Sequence, residues 1–438
     1  MLKVAKFGGS SVAKAEQFQK VKSIIQADPT RKVVVVSAAG KRSSDDHKLT
    51  DLLYLCHAHL TYGVSCDHIL DTIRERFAEI RNELGLTYDV EGDFAALRAS
   101  LSRDTTADEL VSRGEYFTAR LMAEYLGYEF LDAADCVFFG YDGKFDLEKT
   151  YAAIREAAAR GRGIVIPGFY GSLPGGKIRV MSRGGSDISG ALAAAAVDAS
   201  VYENWTDVSG ILMADPRIVE NPAPISCITY EELRELAFTG ASVLHEDSVQ
   251  PVKDAGIPLN IRNTNRPQDP GTLIVAEAER TEEDREHFIT GISGRRNFSS
   301  LTLQKHNMNQ NQCLRQVLEI LDRFRVPLEH ITLGLDSFAL VVSTAALADC
   351  QFELLGQLRE ICQPDDLSVQ ENMALVAVVG RRMTYRPGTS GRIFRALGDA
   401  GINIRTIHQA ADEISIIVGV DNKDFEAAIR VLYHGFAG

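Results

Sequence analysis

Apolar positions along this chain follow two different rhythms. In the amino-terminal part, short continuous apolar runs alternate with longer stretches whose apolar residues recur every three or four positions. The runs are Leu2–Phe7, Arg31–Ser37 (RKVVVVS), Gly163–Pro167 (GIVIP) and Ser200–Trp205 (SVYENW). Runs of this length, rich in β-branched residues, predict buried strands of a mainly parallel sheet. Glu203 reads as an exposed point on the last of them. Helical spacing covers Ala13–Ile25, a stretch capped by Thr50 and ending near Leu60, Glu109–Leu126, Leu147–Arg160 and Tyr230–Phe238. Residues 64–104 are largely helical, with a break near Gly85–Asp93. Between them Gly168, Gly171, Gly175 and Gly176 predict a loop and hairpin, returning at Ile178–Met181.

After Phe288 single helices alternate with short strands. Strands are expected at His287–Ile292, Ser299–Gln304, Leu328–Leu333, Phe338–Ser343, Ala374–Val379, Ile404–Gln409 and Glu413–Val418. Helices are expected at Gln312–Phe324, Asp349–Cys362, Ser390–Ala400 and Asn422–Leu432. This is two ferredoxin-like βαββαβ patterns, the second lacking a final strand. Residues 287–292 could supply it by exchange between modules. The charged stretch EAERTEEDRE from Glu277 marks a linker. The expected organisation is an α/β domain at 1–276, a linker at 277–286, a first module at 287–368 and a second at 369–438. The fold class is a three-layer α/β/α domain followed by two α+β modules.

Composition narrows the function. A formal charge of -13 argues against a nucleic-acid surface. The seven cysteines form no CxxC pair, as in a reduced cytoplasmic protein. The chain opens on a strand, so no signal peptide is visible, and no apolar run approaches the ~20 residues of a membrane span.

Two glycine turns follow strands and precede helices: Gly8-Gly9-Ser10 and Gly184-Gly185-Ser186. Such turns bring backbone N–H groups to an anion, and a helix start adds positive potential. Lys6 and Arg183 stand beside them. The pair could neutralise a transferring phosphoryl group from two sides, with Asp187 orienting Lys6. Glu115 could receive the ammonium of an amino acid. There is neither a GxxxxGK[ST] nor a GxGxxG motif. Each residue also has a plainer structural use: Lys6 as a strand-end lysine, Asp187 as a helix cap, and Glu115 as a partner of Arg113 or Arg120. Gly114, inside a helix, calls for close approach of a ligand or another element.

The motifs KFGGSSV from Lys6, LVSRGEYFTARLMAEYL from Leu110, PGFYG from Pro167 and SRGGSDISG from Ser182 resemble those of the aspartokinases, in the wider amino-acid kinase family. TDVSGILMADPRIV from Thr206, ELAFTGASVLH from Glu235 and DEISIIVGV from Asp412 continue the resemblance in order over the whole chain. It implies transfer of the γ-phosphoryl group of ATP to the side-chain carboxylate of L-aspartate, the first step towards lysine, threonine and methionine. By the same resemblance Lys6 stabilises the moving phosphoryl group, and Gly8, Gly9 and Ser10 bind phosphate. Ser37 and Thr50 border the aspartate pocket, and Glu115 takes the ammonium. Arg183 grips a carboxylate, with Gly184, Gly185, Ser186 and Asp187 around the reaction centre. Thr206, Asp207, Asp215 and Arg217 fall in the nucleotide segment, and Mg2+ is held mainly through the ATP phosphates. The carboxy-terminal modules resemble ACT domains, which implies a homodimer through them and a lysine or threonine effector. Ser242, Leu212 and Glu246 depart from residues common in the family near the nucleotide.

Overall fold

In a computed structural model, all 438 residues are described except 183, 241–243, 245–247, 278–288, 307–308, 382, 384–385 and 438. The linker from residue 278 onward therefore lies outside the described residues. So do the departures at Ser242 and Glu246.

In chain order the elements are β1 (Lys3–Phe7), a 3-10 turn (Gly9–Val12), α1 (Ala15–Gln26), β2 (Arg31–Val36), α2 (Leu49–Thr61), α3 (Asp67–Leu84), α4 (Val90–Ser100), α5 (Ala107–Val111), α6 (Arg113–Leu126) and β3 (Glu129–Phe130). There follow α7 (Leu147–Ala159), β4 (Ile164–Pro167), β5 (Tyr170–Ser172), β6 (Ile178–Val180), α8 (Gly185–Ala196), β7 (Val201–Thr206), β8 (Cys227–Thr229), α9 (Tyr230–Phe238), α10 (Gln250–Asp254), β9 (Leu259–Asn263) and β10 (Thr272–Val275). The last set is β11 (Gly291–Gln304), α11 (Gln310–Arg323), β12 (Leu328–Leu333), β13 (Ser337–Ser343), α12 (Thr344–Ala348), α13 (Gln351–Cys362), β14 (Asp366–Val379), α14 (Thr389–Asp399), β15 (Thr406–Gln409), β16 (Ser415–Asp421) and α15 (Phe425–Ala437). No described helix is long and apolar enough to cross a membrane.

Two compact units result. The first comprises Met1–Ile211, Pro224–Glu231 and Val243–Ala278. Its sheet has the order β3-β4-β2-β1-β7-β9-β10-β8 and is parallel except where β10 meets β9. Alternation along the strands decides which layer each side chain joins. Ala5, Phe7, Val34, Val36 and Trp205 join helices α1 to α4 and α6 in one apolar cluster. The opposite face, with Val4, Lys6, Val33, Val35, Tyr202 and Asn204, is covered by α8, which packs on β1, β2 and β7. The expected α/β core is thus present.

Glu203 is not exposed: it is 2% accessible. Arg31 pairs with it through two nitrogens, at 2.7 and 3.0 Å, and donates a third hydrogen bond to the Ile24 carbonyl at 2.6 Å. The Trp205 indole N–H donates to the same carboxylate at 3.0 Å. A carboxylate can stand among core residues here because both of its oxygens accept hydrogen bonds, from Arg31 on β2 and from Trp205 on its own strand. Arg31→Met should therefore cost about 3–5 kcal/mol, because it leaves Glu203 buried without its partner. The check is a fall in the apparent melting temperature of the purified chain.

The second unit comprises Leu212–Ala223, Glu232–Ser242 and Glu279–Gly438. Its sheet has the order β12-β13-β11-β14-β16-β15. Strands β11 and β14 are each longer than the apolar pattern predicts. Residues 298–304 of β11 pair with β13 and with the first half of β14, and residues 291–295 pair with 375–379 of β14. Both long strands therefore run through both modules. Residues 366–372 (DLSVQEN) gave no apolar signal because their side chains are half-buried or exposed. The Glu232 carboxylate, fully buried, accepts from the Arg381 backbone N–H at 3.0 Å and from its guanidinium. These contacts fix residues 232–238 of α9 within this unit.

Candidate active site

The carboxyl ends of β1, β2, β4 and β7 meet on one edge of the first sheet. Gly8 N–H donates to Trp205 O (3.0 Å), Ser37 N–H to Phe7 O (3.0 Å) and Gly168 N–H to Val36 O (2.9 Å). Ligands of open parallel sheets gather at such an edge.

Lys6 points to the α8 side and is 7% accessible. Its Nζ lies 2.6 Å from Asp187 Oδ1, in the first turn of α8. Asn204 donates its amide to the same oxygen at 2.9 Å and accepts from Lys6 at 3.5 Å. The expected pairing of Lys6 with Asp187 is therefore present, and Asp187 does not act as a side-chain cap.

The glycine turns differ from one another. The first opens a 3-10 turn, and α1 begins only at Ala15. Gly8 N–H is already spent on the sheet, so it is not available to a phosphate. A Cβ on Gly40 would lie 2.6 Å from the carbonyl atoms of Gly9, so glycine there lets the loop after β2 lie against the turn. The second turn opens α8 directly. Gly184 is left-handed (φ 79°), and Gly185 N–H closes on Ser182 O at 3.1 Å. Ser186 stands in the first turn of α8, packed against Gly168, where a Cβ would lie 2.8 Å from its own. Beside it Phe169 holds φ 77°, a strained conformation for an aromatic residue, with its N–H given to Ser189 Oγ at 3.0 Å.

Glu115 lies in the first turn of α6 and is 4% accessible. The expected single helix is broken at Ser112 into α5, which carries a Thr106–Glu109 capping box, and α6. Gly114 permits close packing of α6 under the loop after β2: a Cβ there would lie 2.9 Å from Ala38 Cβ. Thr118 accepts from Ala39 N–H at 3.1 Å. Glu115 thus sits beneath Ser37–Gly40. Its Oε2 is buried with no hydrogen-bond partner among the described residues. Burial pushes its carboxyl up to about 8, against the opposing pull of hydrogen bonds from the Ala38 and Glu115 backbone. Thr50 is not the cap of α2 but its second residue, the cap position being Lys48 without a side-chain bond.

Thr206 ends β7, and its hydroxyl donates to Asp207 at 3.1 Å. Asp215 and Arg217 belong to the second unit, where they pair with each other at 2.6 Å. Leu212 also belongs to it. Arg183 lies outside the described residues. Among the described residues, no three His, Cys, Asp or Glu side chains are grouped to hold a metal. The sequence reading missed Asn204. The signal was an amide in the middle of an otherwise core-like strand.

Comparison with known proteins fits this geometry. The model of the amino acid kinase family matches residues 1–263, and an ACT domain model matches residues 376–436. Aspartokinase 3 of Bacillus subtilis (strain 168) is 34% identical, over 99% of this chain and 98% of that protein. The lysine-sensitive aspartokinase 3 of Escherichia coli (strain K12) is 31% identical over 98% of each. The crystal structure of Clostridium acetobutylicum aspartate kinase superposes with a TM-score of 0.93 at 44% identity, covering 99% of both chains. That of E. coli aspartokinase III in complex with aspartate and ADP superposes at 0.75 with 27% identity, over the whole of both chains. Likeness at this level along the full length, joined to a buried lysine paired with an aspartate at the sheet edge, means that this chain belongs to the aspartokinases of the amino acid kinase family.

Proposed function

We propose that the sheet-edge site transfers the γ-phosphoryl group of ATP to the side-chain carboxylate of L-aspartate, giving 4-phospho-L-aspartate and ADP. The observation that carries this reading is the presence of two buried groups of opposite charge near the same sheet edge. One is an ammonium, Lys6, held by Asp187; the other is a carboxylate, Glu115, one oxygen of which has no partner among the described residues. The first suits a phosphoryl group and the second suits the ammonium of an amino acid. An aspartate side chain is already ionised at neutral pH, so no general base is needed. One of its oxygens bonds to the γ-phosphorus as the bond to the bridging β,γ oxygen breaks, and ADP leaves with that electron pair. The protein's part is alignment and charge compensation.

Lys6 follows the charge of the moving group, and Asp187 holds Lys6. Gly9, Ser10, Gly184, Gly185 and Ser186 line the phosphate path, with the Gly8 contribution limited to shape. Ser37, Thr50 and Ser186 border the aspartate, Arg183 takes its α-carboxylate, and Glu115 its ammonium. Thr206, Asp207, Asp215 and Arg217 serve the nucleotide. Asp187 Oδ1 is already shared by Lys6 and Asn204, which fits a Mg2+ ion carried in by the ATP phosphates rather than a resident metal. When bound, such an ion offsets phosphate charge.

The catalytic domain is assigned to 1–276, the linker to 277–286, and the ACT modules to 287–368 and 369–438, with strand exchange through the start of β11. A homodimer through the modules is supported by the edge strand β12, where Leu333 is 55% exposed, and by neighbouring Leu335 at 88%. Lysine or threonine is the effector class; one E. coli aspartokinase III structure is a complex with lysine and aspartate. The catalytic reading predicts ADP release that requires both Mg2+ and L-aspartate. Equal release with L-glutamate, or release independent of any acceptor, would overturn it.

A further inference from the structure

We infer that Asn204, together with Tyr202, is a positioning residue for the phosphoryl-transfer step. It holds Asp187 in place so that Lys6 can leave it for the moving phosphoryl group. The inference rests on the catalytic reading given above.

Strands β1 and β7 are parallel neighbours, and Lys6 stands directly opposite Asn204 in their register. Side chains at such paired positions share a face of the sheet. Asn204 is 4% accessible, flanked in sequence by buried Glu203 and Trp205. An amide at a core position is costly unless both its ends are satisfied. Here the carboxylate of Asp187 requires the NH2 end, at 2.9 Å, and the ammonium of Lys6 requires the carbonyl end, at 3.5 Å. The amide thus bridges the two charged groups.

The next residue on the same strand face completes the hold. Tyr202 Oη donates to the backbone carbonyl of Asp187 at 3.1 Å. The ring reaches α8 because residue 190 is glycine: a Cβ there would lie 2.4 Å from Tyr202 Oη. Residue 187 is therefore held at its side chain by Asn204 and at its main chain by Tyr202, both from β7.

A Lys–Asp pair on its own would move as one unit, the carboxylate following the ammonium. With Asn204 bound to the same oxygen, Asp187 stays when Lys6 shifts. The effect falls on the transfer step and not on substrate binding.

The test uses the full-length chain. Asn204→Leu, close in size and without donor or acceptor, should lower kcat by about 10- to 100-fold, the scale of a small misplacement of a catalytic group. KM for ATP and for L-aspartate should stay within about twofold, since ground-state contacts are untouched. Asn204→Asp, which cannot donate to Asp187 when ionised, should lose at least as much. In an Asp187→Ala background Asn204→Leu should cost almost nothing more, because the two residues act as a unit. A kcat near that of the parent, a loss confined to KM, or independent losses in the double variant would overturn the inference. The crystal structure of Asn204→Leu reports without turnover. The carboxylate of Asp187 should be rotated from its parent position. A carboxylate left in place would overturn the inference even if the parent chain failed to phosphorylate aspartate, which would instead refute the catalytic reading.

Discussion

Lys6→Met should lower kcat by about three orders of magnitude, the scale of losing a group that meets charge developing in the transition state. Methionine keeps the length and apolar stem of lysine at a position 7% accessible, so the fold should survive. The change removes the ammonium 2.6 Å from Asp187 and leaves that carboxylate with the Asn204 amide. ATP should still bind, because backbone groups and the nucleotide segment are unaltered. Comparing kcat with the ATP dissociation constant of the variant separates these effects. A variant with parental kcat would remove Lys6 from the reaction.

Glu115→Gln should raise KM for L-aspartate by about 10- to 100-fold, the value of a hydrogen bond to a charged group, with a smaller change in kcat. The parent enzyme carries a pH signature at the same residue. Burial raises the Glu115 carboxyl to about 8, so below that pH the free enzyme holds it largely neutral. An ammonium needs the ionised form. KM for L-aspartate should therefore fall as pH rises from about 6.5 towards 8 and then level off. In Glu115→Gln this dependence should vanish. The stability sign is opposite. A raised carboxyl favours the folded state most below the unfolded value of 4.5, and that contribution is lost as pH rises through about 8. Between pH 6 and pH 9 the melting temperature of the unliganded parent should therefore fall relative to that of Glu115→Gln. A KM that does not change with pH in the parent would remove the ammonium-receiving role from Glu115.

The strands of the first sheet were legible because buried parallel strands are continuous apolar runs, and Val33–Val36 needs no partner to be read. Lys6 and Glu115 were legible by their motifs. The glycine at 114 announced a close approach, although only the fold identifies Ala38 as what approaches. Asn204 was visible only as an amide in a core-like strand, and its role was not legible. Its meaning depends on register with a strand some two hundred positions away, and no local period carries that. Glu203 was misread for the same reason, since its partner Arg31 lies at the start of another strand. Thr50 resembles a cap by residue type, yet α2 starts one residue earlier, at Leu49. The lengths of β11 and β14 were hidden because a two-module strand contains a stretch with polar, half-exposed side chains.

The measurement that bears most directly on the central claim is trapping of the product with hydroxylamine in the presence of Mg2+, ATP and L-aspartate. The parent chain should form a hydroxamate on the aspartate side chain, Lys6→Met should form almost none, and L-glutamate should not replace the substrate. Folded parent protein that yields no aspartate hydroxamate, or yields it equally well after Lys6→Met, would contradict the account.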